Sequence, residues 1–456
     1  MYLPRTEILI YFVVYILFLS YGIYQIYMLS EAISSKLKNT GFTSGWKFLD
    51  RKRDNLDFEW EAWKNFVWDN CLWFLFHLIL TEIFRWLKKK LVSWSHVAVS
   101  VLFLIVHFNL PVLSIILFQH FTFILLMHLK RKMIIWICAT TWLFLITFFK
   151  YFEQQIQIGK MLNLNEFQYY EVMIIISWNI LKSISFSIDY ITSDNKQTSN
   201  SFDLTNVYGY ALYFPSLLLG PFMLFGRYNE MRRYTESWNT RNAKKRILTL
   251  MVGLSRACFW LFFTDFALHF VYLGNLQNNP EIVNELNPWS LYTFGYLMGQ
   301  FFHNKYVVFY GLPISIAKYE NINAPGLPKC IGRIHLYSKM WKYFDQGFES
   351  IKLQLSGSPK IAIWSYFEID HVRYPFLELG KKIYLAHPFA TFSFIYVWHG
   401  IYEFVFIWSV MNFICLQLEQ IGRNIGRKQQ KTFRKYFGEA NKNRMKALFG
   451  TQIFIP

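Results

Sequence analysis

The sequence predicts an all-α polytopic membrane protein, and two observations carry that prediction. The chain is 54% hydrophobic and 20% aromatic, while only 17% of it is charged, well under the roughly 25% of a soluble globular protein. Apolar runs close to the ~20 residues that a bilayer-crossing helix needs recur along it, giving about ten spanning or re-entrant helices. At 456 residues a soluble chain would hold about three domains, but no soluble domain separates these runs.

Taken in order, the runs lie at 7–29, 66–87, 91–108, 111–129, 133–151, 169–190, 207–225, 246–274, 289–318 and 386–417. The first follows Arg5 and has no small-residue cleavage site, so it reads as a retained span and not a removed leader. A basic cluster of Arg85, Lys88, Lys89 and Lys90 follows the second run, and Lys130, Arg131 and Lys132 follow the fourth. Further clusters occupy 232–246 and 423–446, and together they raise the net charge to +18. Because each abuts a span, they read as cytoplasmic anchors facing anionic headgroups and not as a nucleic-acid surface. If the clusters after the second and fourth runs mark the cytoplasmic side, simple counting puts 226–246 on the opposite one. One run must therefore fail to cross. "YFPSLLLGPFMLF", with Pro215, Gly220 and Pro221, is the expected break, a re-entrant or broken helix sheltered by protein.

Polar islands fall at 36–65, 192–206, 226–246 and 320–385. The chain thus divides into a multi-span domain, 1–420, whose 320–385 stretch is interfacial or re-entrant, and a basic tail, 421–456.

Chemistry is first narrowed by absences. There is no Walker A loop, no G-x-G-x-x-G after a strand, no H-E-x-x-H and no G-x-S-x-G. The five cysteines, Cys71, Cys138, Cys258, Cys330 and Cys415, form no C-x-x-C pair and no disulfide framework. Of eleven histidines, His77, His107, His120 and His128 lie near span ends or on mixed faces, where hydrogen-bonded or interfacial roles are the default. His399 differs. It sits well inside an apolar run, in "FIYVWHGIYEFVF" at 394–406, where a charge costs about 2.5–3.5 kcal/mol on insertion scales. An ionisable group there is a functional candidate, and Gly400 beside it permits close approach by a substrate or a helix. Asp345, among Trp341, Tyr343, Phe344 and Phe348, lies on the expected face of an interfacial amphipathic helix; it is either a working carboxylate or simply that helix's wet side. Arg256, Asp265 and His269 share one run, with the last two on one helical face, and read as a buried structural network.

Several ordered stretches resemble the membrane-bound O-acyltransferase superfamily, and within it the Hedgehog acyltransferase group of protein-cysteine N-palmitoyltransferases. They are "LPRTEILIYF" at 3, "DFEWEAW" at 57, "SFSID" at 185, "YFPSLLLGP" at 213, "GLSRACFW" at 253, "KYVVFYGLP" at 305, "APGLPKC" at 324, "MWKYFDQG" at 340 and "WHG" at 398. Each is weak alone, but their order and spacing are specific. The resemblance implies a family histidine at His399 and its acidic partner at Asp345 as the catalytic pair. It implies substrate-binding roles for Trp341, which matches a tryptophan gating the acyl-donor cavity, and for Trp398 and Gly400. It also implies a haem-iron ligand at Cys330, with haem b as cofactor, since thiolate is a recognised axial ligand.

The implied reaction moves palmitoyl from palmitoyl-CoA to the amino-terminal cysteine of a secreted Hedgehog-type precursor, in the endoplasmic reticulum membrane or the Golgi, with membrane lipid around the enzyme and no nucleic-acid partner. Rival classes are a transporter, a relative acylating a lipid or sterol hydroxyl, and a catalytically silent relative. Three departures from the family pattern stand out. Residues 350–371 appear as an insertion, read as a lineage-specific loop or a faulty exon boundary. The chain stops at Pro456, where the family continues into two further spans carrying an active-site asparagine. Leu218 and Leu219 replace a family His-Asn pair.

Overall fold

The computed structural model describes residues 4–36, 41–88, 91–151, 155–192, 203–218, 220–236, 243–333, 337–347, 392–393, 396–397, 399 and 401–423. In chain order the elements are α1 (Arg5–Lys36), β1 (Phe42–Ser44), β2 (Lys52–Asp54), α2 (Phe58–Asp69), α3 (Cys71–Leu87), α4 (Val92–Phe103), α5 (Leu110–Met127) and α6 (Lys132–Tyr151). There follow α7 (Gln155–Met161), α8 (Glu166–Thr192), α9 (Leu204–Ala211), α10 (Phe225–Glu236), α11 (Ala243–Ala267), α12 (Leu273–Gln277), α13 (Pro280–Asn284), α14 (Pro288–Tyr319) and α15 (Tyr337–Phe344). A last helix, α16, covers Glu403–Arg423.

Among the described residues six helices, α1, α5, α6, α8, α11 and α16, are long and apolar enough to cross a bilayer, and α2 with α3, bent by 54°, is a seventh candidate. The fold is all-α and polytopic, as its apolar runs predict. The remaining runs depart for local reasons. Inward-facing Ser93, Ser95, His96 and Ser100 make α4 partly polar, and a π-helical turn at Leu104–Phe108 follows it. α14 is 32 residues long but carries Gln300, His303, Asn304 and Lys305 in its middle. The first part of 386–417, the insertion at 350–371 and the tail beyond 423 lie outside the described residues.

The 36–65 island holds an unexpected antiparallel ribbon, with Phe42 opposite Asp54 and Ser44 opposite Lys52. Buried Asp54 accepts the backbone N–H groups of Gly274 at 2.7 Å and Asn275 at 3.1 Å, which pins the ribbon to α12. After it, Asp57 caps α2 by accepting the N–H of Trp60 at 2.7 Å. The buried face of α2 lays Trp63 flat on Phe309 of α14, 4.8 Å between ring centroids.

α11 and α14 approach closely because each presents a glycine. A Cβ on Gly253 would come within 2.3 Å of Ser315 Oγ, and one on Gly311 within 2.9 Å of Ala257 Cβ. In a bilayer, where helices gain little from burying apolar surface, such small-residue contacts are a main source of helix association. Below this seam, Asp265 takes Arg53 at 2.6 Å and Lys64 at 2.8 Å. His269 accepts the N–H of Trp46 at 2.9 Å. The expected network therefore exists around Asp265 and His269, but Arg256 is exposed and the cations come from the ribbon and α2.

The 207–225 run breaks where Pro215, Gly220 and Pro221 place the breakers. α9 ends at Ala211, a single 3-10 turn spans Phe214–Ser216, and regular structure resumes only at Phe225. Non-helical backbone inside a membrane domain must find its hydrogen bonds from protein, and side chains supply them here. Lys182 of α8 is buried and donates to Ala211 O at 3.2 Å and Ser216 O at 3.0 Å. Ser100 donates to Leu212 O, Tyr210 to Met223 O at 2.5 Å, and Ser185 accepts the N–H of Phe225 at 3.1 Å. Lys182→Met strips the donor from two buried carbonyls and is expected to cost about 1–3 kcal/mol. Thermal unfolding in detergent measures this, and an unchanged Tm would show that the lysine holds nothing.

Candidate active site

Asp345 and its neighbours in the 320–385 stretch are positioned by α14. Phe344, at the end of α15, stacks on Phe302 at 5.1 Å and meets Tyr306 edge-on at 5.4 Å. That docking sets the next residue, Asp345, against α14, where it accepts the hydroxyl of buried Tyr310 at 3.1 Å. Asp345 also accepts the N–H of Gly347 at 3.0 Å, which closes a tight turn after the helix. Asp345 is therefore not simply the wet side of a helix; it is half-buried and anchored to a second helix.

The loop before α15 is knitted to it. Lys329 N–H donates to Tyr343 O at 3.0 Å, and Gln346 accepts Gly326 N–H at 3.2 Å while donating to Leu327 O at 3.3 Å. Between loop and helix lies a cavity of about 390 Å³, lined among others by Arg227, Asn323, Lys329, Lys342, Tyr343 and Gln346. Among the described residues its lining holds three cations and no carboxylate. Lys329 lies over the Tyr343 ring, its Nζ 4.2 Å from the ring centre. A mouth of this charge concentrates anions, and Arg and Lys are the side chains that bind phosphate groups.

The other expected site residues fall apart from this cavity or outside the described structure. His399 is helical and exposed, with its ring 5.8 Å from Trp408 in an edge-on contact. The contacts described for His399 and for Asp345 do not join the two, and residues 348–391 between them lie outside the described residues. Trp398, Gly400 and the side chain of Trp341 also lie outside them, although the Trp341 backbone is in α15. The Cys330 thiol donates to Gln300 Oε1 at 3.5 Å and does not line the 390 Å³ cavity that its neighbour Lys329 helps to form. Nothing in these contacts supports haem at Cys330, and no step is routed through haem.

Sequence reasoning missed Tyr310 and the three cations. Tyr310 sits in the quoted "KYVVFYGLP", but only tertiary packing brings it to Asp345. Lys329 and Lys342 carry no local sign that they converge on Arg227 from α10.

The sequence model of MBOAT, the membrane-bound O-acyltransferase family, matches residues 124–350, a stretch that includes Asp345 and all three cavity cations. Protein-cysteine N-palmitoyltransferase Rasp of Drosophila melanogaster is 30% identical over 100% of this chain and 86% of its own length. Protein-cysteine N-palmitoyltransferase HHAT of Mus musculus is 21% identical over 91% of this chain and 81% of its own. The mouse HHAT-like protein is 23% identical over 82% of this chain and 70% of its own.

Proposed function

The chain belongs to the membrane-bound O-acyltransferase family and is an acyltransferase, and from that premise we propose that it moves palmitoyl from palmitoyl-CoA to the N-terminal cysteine amine of a secreted Hedgehog-type protein. The observation that carries this reading is the cation-lined cavity beside Asp345. Its charge suits the phosphates of a coenzyme A head group, while the surrounding apolar helices suit the fatty chain.

An α-amino group titrates at about 7.7–8.0 and is largely protonated at neutral pH, so attack on a thioester needs a base. In the proposal His399 is that base. It takes a proton from the amine, nitrogen attacks the thioester carbonyl, the carbon–sulfur bond breaks, and coenzyme A leaves as a thiol once it gains a proton. Asp345, held by Tyr310, orients the acceptor or the imidazole, and Trp341, Trp398 and Gly400 bound the path of the acyl chain. Cys330 as a haem ligand stays outside this reading. A secreted acceptor places the enzyme in the endoplasmic reticulum membrane or the Golgi.

The donor half is tested by kinetics on membranes carrying the full chain. Charge-assisted contacts to phosphate contribute about 1.5–3 kcal/mol each. Lys329→Ala with Lys342→Ala is therefore expected to raise KM for palmitoyl-CoA by roughly tenfold or more, with a smaller change in KM for a cysteine-initiated peptide. An unchanged KM for the donor would remove the cavity from the mechanism.

A further inference from the structure

A second constellation lies apart from the cavity, in the sealed interior. His77 of α3, His96 of α4 and Glu320 at the end of α14 are each fully buried, and Tyr213 of the broken segment and Tyr228 of α10 close around them. His77 Nε2 is 2.9 Å from Glu320 Oε1, and His96 Nε2 is 3.6 Å from Glu320 Oε2. The three donor atoms all lie within 4.8 Å of one another, and they form the one such group of three among the described residues.

We propose that His77, His96 and Glu320 bind a zinc ion that ties α3, α4 and α14 to the broken segment. Two imidazoles and one carboxylate are a common zinc donor set, whereas calcium and magnesium prefer all-oxygen sites. Zinc–ligand bonds of about 2.0–2.2 Å put tetrahedral neighbours roughly 3.3 Å apart; the two histidine nitrogens lie 2.9 and 3.6 Å from the two different carboxylate oxygens, so a turn of the Glu320 carboxylate presents one oxygen to an ion between the rings.

Part of the surroundings resembles a metal's supporting shell, for His96 and Glu320, whereas Nδ1 of His77 is buried with no hydrogen-bond partner. His96 Nδ1 is fixed by the Tyr228 hydroxyl at 2.7 Å, and Glu320 Oε2 accepts the Tyr213 hydroxyl at 2.6 Å. Such outer contacts set the ring's orientation and the ligand's basicity. With Nδ1 engaged, His96 Nε2 points at Glu320 and makes no hydrogen bond, although it is fully buried. At 3.6 Å the contact is too long for a hydrogen bond; a cation beside it gives His96 Nε2 the partner it lacks. The fourth position is left to a water.

The test is metal analysis of the full chain purified in detergent and passed over chelating resin. Wild type is expected to retain about one zinc per chain, and His96→Gln and Glu320→Gln to fall below a tenth of that. If those variants fail to fold, zinc-edge X-ray absorption of wild type is expected to show nitrogen and oxygen neighbours at about 2.0–2.2 Å and no sulfur. Wild type free of zinc, zinc retained by His96→Gln, or sulfur ligation would each overturn the proposal. None of these readouts depends on acyl transfer.

Discussion

His399→Ala is expected to reduce palmitoyl transfer to a cysteine-initiated peptide by at least about 10²-fold, the lower end of what a positioned general base contributes. The physical reason is the acceptor. A protonated amine has no lone pair to offer a thioester, so removing the base leaves only the minor neutral fraction to react. His399 is exposed and lies edge-on against Trp408, so its truncation takes little from the packed interior. The loss should therefore appear in kcat while protein yield and Tm stay near wild type. Asp345→Asn is expected to fall between the two, since an amide still accepts the Tyr310 hydroxyl but carries no charge. Full activity in His399→Ala would assign proton removal to another group.

The second large effect is on folding. Glu320→Ala removes the carboxylate at the end of α14 on which His77 of α3 and Tyr213 of the broken segment converge, at 2.9 and 2.6 Å. Truncating one member of a buried ionic network costs about 3–5 kcal/mol, because the partners stay buried without compensation. Such a loss approaches the whole stability of many domains. The expected outcome is little or no monodisperse protein after detergent extraction, with Glu320→Gln partly recovered because the amide keeps an acceptor for Tyr213. Wild-type yield from Glu320→Ala would show the network to be dispensable.

Much of the fold could be read from periodicity alone, because a bilayer demands long apolar helices and marks their ends with Lys and Arg. The break at Pro215, Gly220 and Pro221 was legible for the same reason, since those residues cannot continue a helix there. What satisfies it was not. Lys182 looks like a misplaced charge in an apolar run until its two carbonyl partners are seen. The ribbon at Phe42–Ser44 and Lys52–Asp54 is too short to leave a pattern.

The site shows the same division. Asp345 and His399 stand out as ionisable groups amid aromatic neighbours, so a sequence reading finds them. Tyr310, Arg227, Lys329 and Lys342 act through convergence of separate elements, which no local spacing records. His77 reads as an ordinary span histidine; its role appears only when α4 and the end of α14 bring His96 and Glu320 to it.

The acceptor's amine is the point on which the functional account turns. Membranes containing the full chain should be incubated with labelled palmitoyl-CoA and either a peptide beginning with a free cysteine or the same peptide acetylated at its N-terminus. Label retained through hydroxylamine on the free peptide alone is the predicted result, since an amide survives that treatment and a thioester does not. Equal labelling of both peptides, or label that hydroxylamine removes, would contradict it.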